Sequence, residues 1–181
     1  MAITNFDEIV ATVSAVKQSA EHGAGAIGTS SFGAPQTFRR TQDGVIITQI
    51  KVDLTGLYDG GTAGDGIGLA AGGACYIGRN VVATNGIIFK TELSFIELPA
   101  AGDTNVSVVQ NISGTIEGDA AVGASFVAGT SADKVAGATY QNLTPALTAN
   151  YYYYLQIGAS SGAAYTGGQV ILTTYGHAVM T

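Results

Sequence analysis

The dipeptide Asn85-Gly86 stands between two β-rich runs, Val81-Val82-Ala83-Thr84 before it and Ile87 to Phe95 after it. Both central positions of a type I′ turn need positive φ, which Asn and Gly reach at little steric cost. An Asn-Gly pair in this setting therefore predicts a tight antiparallel hairpin centred on Asn85-Gly86. Past the turn, Ile87, Phe89, Leu93 and Phe95 fall on one face with Thr91 among them, while Lys90, Glu92 and Ser94 fall on the other. One side packs and the other meets water, as in an antiparallel sheet covered on one face.

Similar alternation marks most of the chain after residue 44. Ile46, Thr48, Ile50, Val52 and Leu54 alternate with Val45, Ile47, Gln49, Lys51 and Asp53, so this run begins apolar on both faces and ends amphipathic. Leu57 to Gly73 is too Gly-rich for a regular element and reads as a loop holding at most a short strand. Pro99, which cannot donate to a ladder, is expected to close the central strand. Shorter β-like pieces follow at Asn105–Gln110, Ser113–Glu117 and Gly123–Val127, then a long loop over Ala128–Ala149 with a weak strand near Ala138–Gln141. In Tyr151-Tyr152-Tyr153-Tyr154-Leu155-Gln156-Ile157, tyrosines point to both faces of a strand, which a one-sided core does not require. The last strand, Gly168 to Met180, places Val170, Leu172, Ala178 and Met180 on one side and Gln169, Thr173, Tyr175 and His177 on the other. Many short strands with Gly-rich turns predict an all-β fold, an antiparallel β-sandwich or jelly roll.

The N-terminal segment is different. Phe6, Ile9, Val10, Val13 and Val16 recur at three- and four-residue spacing, and Thr4 or Asn5 can cap a helix that His22 and Gly23 end. Such a helix of about 17 residues would be ~26 Å long. The β-branched Val10, Thr12, Val13 and Val16 argue for an extended arm instead. With the Gly- and Ser-rich stretch Gly23 to Pro35, residues 1–40 read as an N-terminal arm, helix or extended, tethered to a sandwich over 41–181.

Composition narrows the function. Charged residues make up 11% of the chain and Gly 26 of 181, against ~25% and ~7% in ordinary soluble domains. Low-charge β surfaces tend to associate, so this balance points to life inside an assembly. A net charge of −6 repels a phosphate backbone and argues against nucleic-acid binding. No run reaches the ~18 to 20 apolar residues of a membrane span, and nothing addresses the chain to a membrane or to secretion. The one cysteine, Cys75, excludes an intramolecular disulfide and any cysteine-based zinc cluster.

Candidate chemistry is sparse. Gly23-Ala24-Gly25-Ala26-Ile27-Gly28 matches G-x-G-x-x-G but lacks the strand-to-helix context that cradles phosphate. Asp53, Asp59 and Asp65 lie six apart in a Gly-rich loop without a calcium-loop pattern, and read as turn aspartates. Nucleophilic catalysis would need Cys75 or a serine beside His22 or His177, but His22 reads as the complement of a helix C-terminus and His177 as a residue on the exposed face of the last strand. Glu92 and Glu97 suit glycoside hydrolysis only if a bulge brings them to one face. No enzyme, cofactor or metal is expected. Tyr151, Tyr152, Tyr153 and Tyr154 are the candidate oligomer or ligand contacts, able to pack at an interface or stack on sugars.

Four phrases carry a resemblance: Val52-Asp53-Leu54-Thr55-Gly56-Leu57, Thr84-Asn85-Gly86-Ile87-Ile88-Phe89, Glu97-Leu98-Pro99-Ala100-Ala101-Gly102-Asp103 and Tyr165-Thr166-Gly167-Gly168-Gln169-Val170-Ile171-Leu172. In order and spacing they resemble small virion structural proteins of tailed phages of marine bacteria, over about residues 45 to 178. The resemblance implies a particle role: a capsid decoration (cement) protein on the outer surface of the head, or a neck or tail component. It carries no catalytic motif. The expected partners are the major capsid protein or other virion proteins and further copies of the chain, as a trimer. Phe6, Ile9, Val10, Val13 and Val16 would form the arm's contact face. A carbohydrate-binding virion domain, using Tyr151 to Tyr154 and the Asp59 to Asp65 loop, is the alternative.

Overall fold

The computed structural model describes residues 35–69, 75–114, 122–123, 125–127, 136–159 and 162–179. The arm residues Phe6, Ile9, Val10, Val13 and Val16, His22, the Gly23–Gly28 motif and most of the strand expected at Ser113–Glu117 lie outside them. Among the described residues, nine strands and one helical turn follow in order: β1 (Gln36–Gln42), β2 (Val45–Asp53), β3 (Tyr76–Arg79), α1 (Val82–Asn85), β4 (Ile87–Ala100), β5 (Val106–Asn111), β6 (Ser125–Val127), β7 (Thr139–Asn142), β8 (Tyr152–Ile157) and β9 (Gly167–His177). They form a five-stranded sheet, β1-β2-β9-β4-β7, and a four-stranded sheet, β3-β8-β5-β6, with every pair antiparallel.

The pairing is nested. β5 pairs with β6, β4 with β7, β3 with β8 and β2 with β9, so β6 to β9 run back along β5 to β2. That long ribbon then folds so that β4 meets β9 and β5 meets β8. This is the strand order of a jelly roll, a double-sheet antiparallel fold. The core lies between the sheets: Ile50 and Val52 of β2, Leu93 and Phe95 of β4, and Val170 and Leu172 of β9 meet Val106 and Val108 of β5 and Tyr153, Leu155 and Ile157 of β8. These positions obey the two-residue period, which is why alternation identified most of the strands.

Asn85-Gly86 does not turn a hairpin. Val82–Asn85 form a helical turn in which the Asn85 Oδ1 accepts hydrogen bonds from the Val81 N–H and the Thr84 hydroxyl. Gly86 ends that turn at φ 70°, a backbone conformation that favours glycine, and donates to the Val82 carbonyl. The two-residue hairpin belongs to Asp43-Gly44 between β1 and β2, where both residues have positive φ and Gln42 pairs with Val45. β1 therefore starts at Gln36, and residues 36–40 belong to the sandwich rather than to an arm ending at residue 40. Pro99 does not close β4 either; the strand runs to Ala100, which pairs with Gly167.

Candidate functional site

Two buried carboxylates clamp one end of the sandwich. Asp59, in the β2–β3 loop, is fully buried; its Oδ2 accepts from the Asp103 N–H at 3.0 Å and its Oδ1 from the Ala163 N–H at 2.9 Å. Asp103, in the β4–β5 loop, accepts from the Asn105 N–H through Oδ1 and from the Gly158 and Ala159 N–H groups through Oδ2. The buried Tyr165 hydroxyl donates to the Asp103 carbonyl at 2.9 Å. Burial first, and then the two carboxylates, push that hydroxyl well above the ordinary tyrosine range. Three loops that diverge in sequence are thus held by backbone donors converging on two side chains. Asp65 accepts from the Thr62 N–H and Asp53 from the Thr55 N–H, as turn aspartates do. Among the described residues no group of three or more His, Cys, Asp or Glu side chains could hold a metal ion.

The tyrosine run divides between two interiors. Tyr153 faces the main core, 5.3 Å from the Phe126 ring. Tyr154 points the other way, into a second cluster with Cys75, Tyr76, Val109 and Val122, and its hydroxyl donates to the Ser113 carbonyl. Both are fully buried, so neither is the oligomer or ligand contact expected of it. Tyr151 and Tyr152 keep partial exposure. Tyr152 is held edge-on to Tyr76 and beneath the Arg79 guanidinium, 4.9 Å from its ring centre. The carbohydrate site imagined from Tyr151–Tyr154 and the Asp59–Asp65 loop is not assembled. Tyr152 opens β8 beside Arg79, whereas Ile157 closes it by hydrogen bonding with Asp65 and Gly64, roughly 17 Å away at ~3.3 Å per residue.

The solvent face of the five-stranded sheet is the remaining candidate. Register places Val45, His177 and Ile87 in one row and Arg40, Ile47, Tyr175 and Lys90 in the next. Phe89, at the bulge between Ile88 and Lys90, stacks on His177 with ring centres 4.4 Å apart. Ile87 is 62% exposed, and Phe38 on β1 is 47% exposed. Beside this apolar end, Glu92 binds the Lys90 Nζ and the Tyr175 hydroxyl, each at 2.7 Å. Lys90 also lies over the Tyr175 ring. Burial raises the Glu92 carboxyl, but the bonds from Lys90 and Tyr175 outweigh it and hold the group below its ordinary value. Burial and the same bond push Tyr175 up to about 12.

A bulge between Phe95 and Glu97 does bring Glu97 to the face of Glu92. Their β9 partners, Gln169 and Thr173, are four residues apart, so the two carboxylates stand roughly 13 Å apart. Paired glycosidase carboxylates are ~5 to 9.5 Å apart, and Glu92 is already committed to Lys90. Sequence reasoning placed Lys90 and Glu92 on one face but missed Tyr175, which strand register brings to them, and missed the role of Asp103, which depends on distant loops meeting. Comparisons with protein-family models, with curated proteins and with solved structures find no match.

Proposed function

We propose that the chain is a non-enzymatic virion structural protein, a capsid decoration protein that binds the outer surface of a phage head and stabilises it. One observation carries the reading: the solvent face of a rigid five-stranded sheet ends in exposed Ile87 and a Phe89–His177 stack beside Val45 and Ile47, in a chain poor in charge. Apolar exposure of this kind marks protein contact surfaces. The buried acids of the described body are spent on backbone hydrogen bonds that stiffen loops, which suits a scaffold for contacts. Jelly rolls serve as viral capsid and lectin domains, and this analogy of fold supports a particle role.

Five strands at ~4.8 Å and about seven residues at ~3.3 Å give a face of roughly 550 Å². A specific interface takes about 800 Å² per partner. The sheet face therefore needs a second contact, and Phe6, Ile9, Val10, Val13 and Val16 of the N-terminal segment supply the apolar residues for it. The test adds the full-length chain to particles that lack it and counts bound copies by quantitative mass spectrometry. Hundreds of copies, lost on deletion of residues 1–22 and on Ile87→Asp, support decoration. A small number set by a ring symmetry indicates a neck or tail component instead, and no binding refutes the reading.

A further inference from the structure

A row of polar side chains crosses the inner face of the five-stranded sheet. Arg39 pairs with Thr48, Thr48 with Thr174, Thr174 with Thr91 and Thr91 with Asn142, so these five side chains share one face and one level. The ends of the row are satisfied: the Arg39 Nε donates to the Thr48 hydroxyl at 3.2 Å, and the Asn142 Nδ2 donates to the Phe126 carbonyl at 2.6 Å. The middle is not. Thr91 is 0% exposed and Thr174 1% exposed, and neither hydroxyl has a hydrogen-bond partner among the described residues. One row deeper lie Ile50, Leu172 and Leu93 of the apolar core. In the other direction α1 covers the sheet, with the Asn85 carbonyl so close to Gly176 that a Cβ there would lie 1.9 Å from it. Asn80, next to the residue that caps α1, is also buried and has its Oδ1 unpaired.

Two adjacent threonines sealed between a helical plug and a hydrocarbon core would each lose free energy if left dry, and valine would fit the same space without that loss. We propose that Thr91 and Thr174 bind a structural water beneath α1, each hydroxyl donating to it or accepting from it. Directly opposed strand residues have Cβ atoms ~4.5–5.5 Å apart, a span that one water bridges. The water would then anchor the α1 end of the sandwich as the aspartate clamp anchors the other.

The experiment uses the full-length chain, labelled for NMR, with Thr91→Val, Thr174→Val and the hydroxyl-retaining Thr91→Ser. The expected result is a long-lived water cross-peak to Thr91 and Thr174 in the wild type. It should persist in Thr91→Ser and vanish in Thr91→Val, with a loss of about tenfold or more in the folding constant of the valine variants. Absence of the cross-peak in the wild type, or valine variants as stable as the parent or more so, overturns the proposal. If a valine variant fails to fold, the wild-type and Thr91→Ser spectra decide it.

Discussion

Replacing Asp59 by Asn changes one atom of a fully buried side chain and should cost the protein a large part of its stability. Each Asp59 oxygen accepts a backbone N–H, one from Asp103 and one from Ala163. An asparagine has one acceptor and one NH₂, so either orientation turns a donor against a donor. The loss is one charge-assisted hydrogen bond, ~1.5–3 kcal/mol, plus a buried N–H left unpaired, ~1–3 kcal/mol, together roughly 3–5 kcal/mol. Against a typical total of ~5–15 kcal/mol that is a large share. At ~2–4 °C per kcal/mol for a chain of this size, the melting temperature should fall by roughly 6–20 °C. The chain has no tryptophan, so far-UV circular dichroism during heating and urea titration is the suitable readout. Asp43→Asn is the matched control: Asp43 sits at φ 51° in a two-residue turn that asparagine suits, and its stability should stay within about 0.5 kcal/mol of the parent. Hydrogen exchange in Asp59→Asn should quicken first at Asp103 and Ala163. If Asp59→Asn and Asp43→Asn prove equally stable, the clamp does not hold the loops and the reasoning fails.

Gly176→Ala should displace α1, because its new methyl group meets the Asn85 carbonyl at 1.9 Å; loss of protection at residues 81–86 and a drop of several kcal/mol, roughly 2–5, would be read by exchange and denaturation. Tyr175 is pushed up to about 12 in the folded protein against an ordinary 10.0, so the fold favours its neutral form. Its contribution is intact below pH 10 and lost as pH rises toward 12, and Tyr175→Phe should remove that part of the alkaline decline, along with one late step in tyrosinate absorbance. Glu92 behaves oppositely. Its lowered folded value gives stability that is present above about 4.5 and lost as pH falls through the folded value, so Glu92→Gln should flatten the acid limb of a stability profile.

Much of the architecture was legible because strands announce themselves by period. β2, β5 and β8 fall within a residue of the alternating runs at 45–54, 105–110 and 151–157, β9 stops at His177 where the run is expected to reach 180, and the weak β7 is shifted by one residue from its expected place. Turn chemistry was legible only as an ambiguity. Asn-Gly serves a hairpin or the end of a helical turn equally well, and what decided was Asn85, whose side chain folds back on Val81 and Thr84. The same signal in Asp43-Gly44 does make the hairpin. Tyrosines pointing both ways did mean two packed faces, but the partner on the second face comes from Cys75, Val109 and Val122, which no local pattern connects to Tyr154. Spacing alone makes Asp59 a turn residue. Its burial depends on Asp103 and Ala163 arriving from distant loops, a fact of topology that spacing does not encode.

The nested pairing also governs how the molecule can come into being. β9 fills the middle of the larger sheet, between β2 and β4, whose residues lie roughly 70 to 130 positions earlier in the chain. While the polypeptide is being synthesised, β2 can pair with β1 and β4 with β7, but the edge that each offers to β9 stays open until β9 emerges and must not pair with a neighbouring nascent chain. A chain stopped before residue 167 therefore holds every strand of the smaller sheet but only two unjoined parts of the larger one, β1-β2 and β4-β7, each with an open edge.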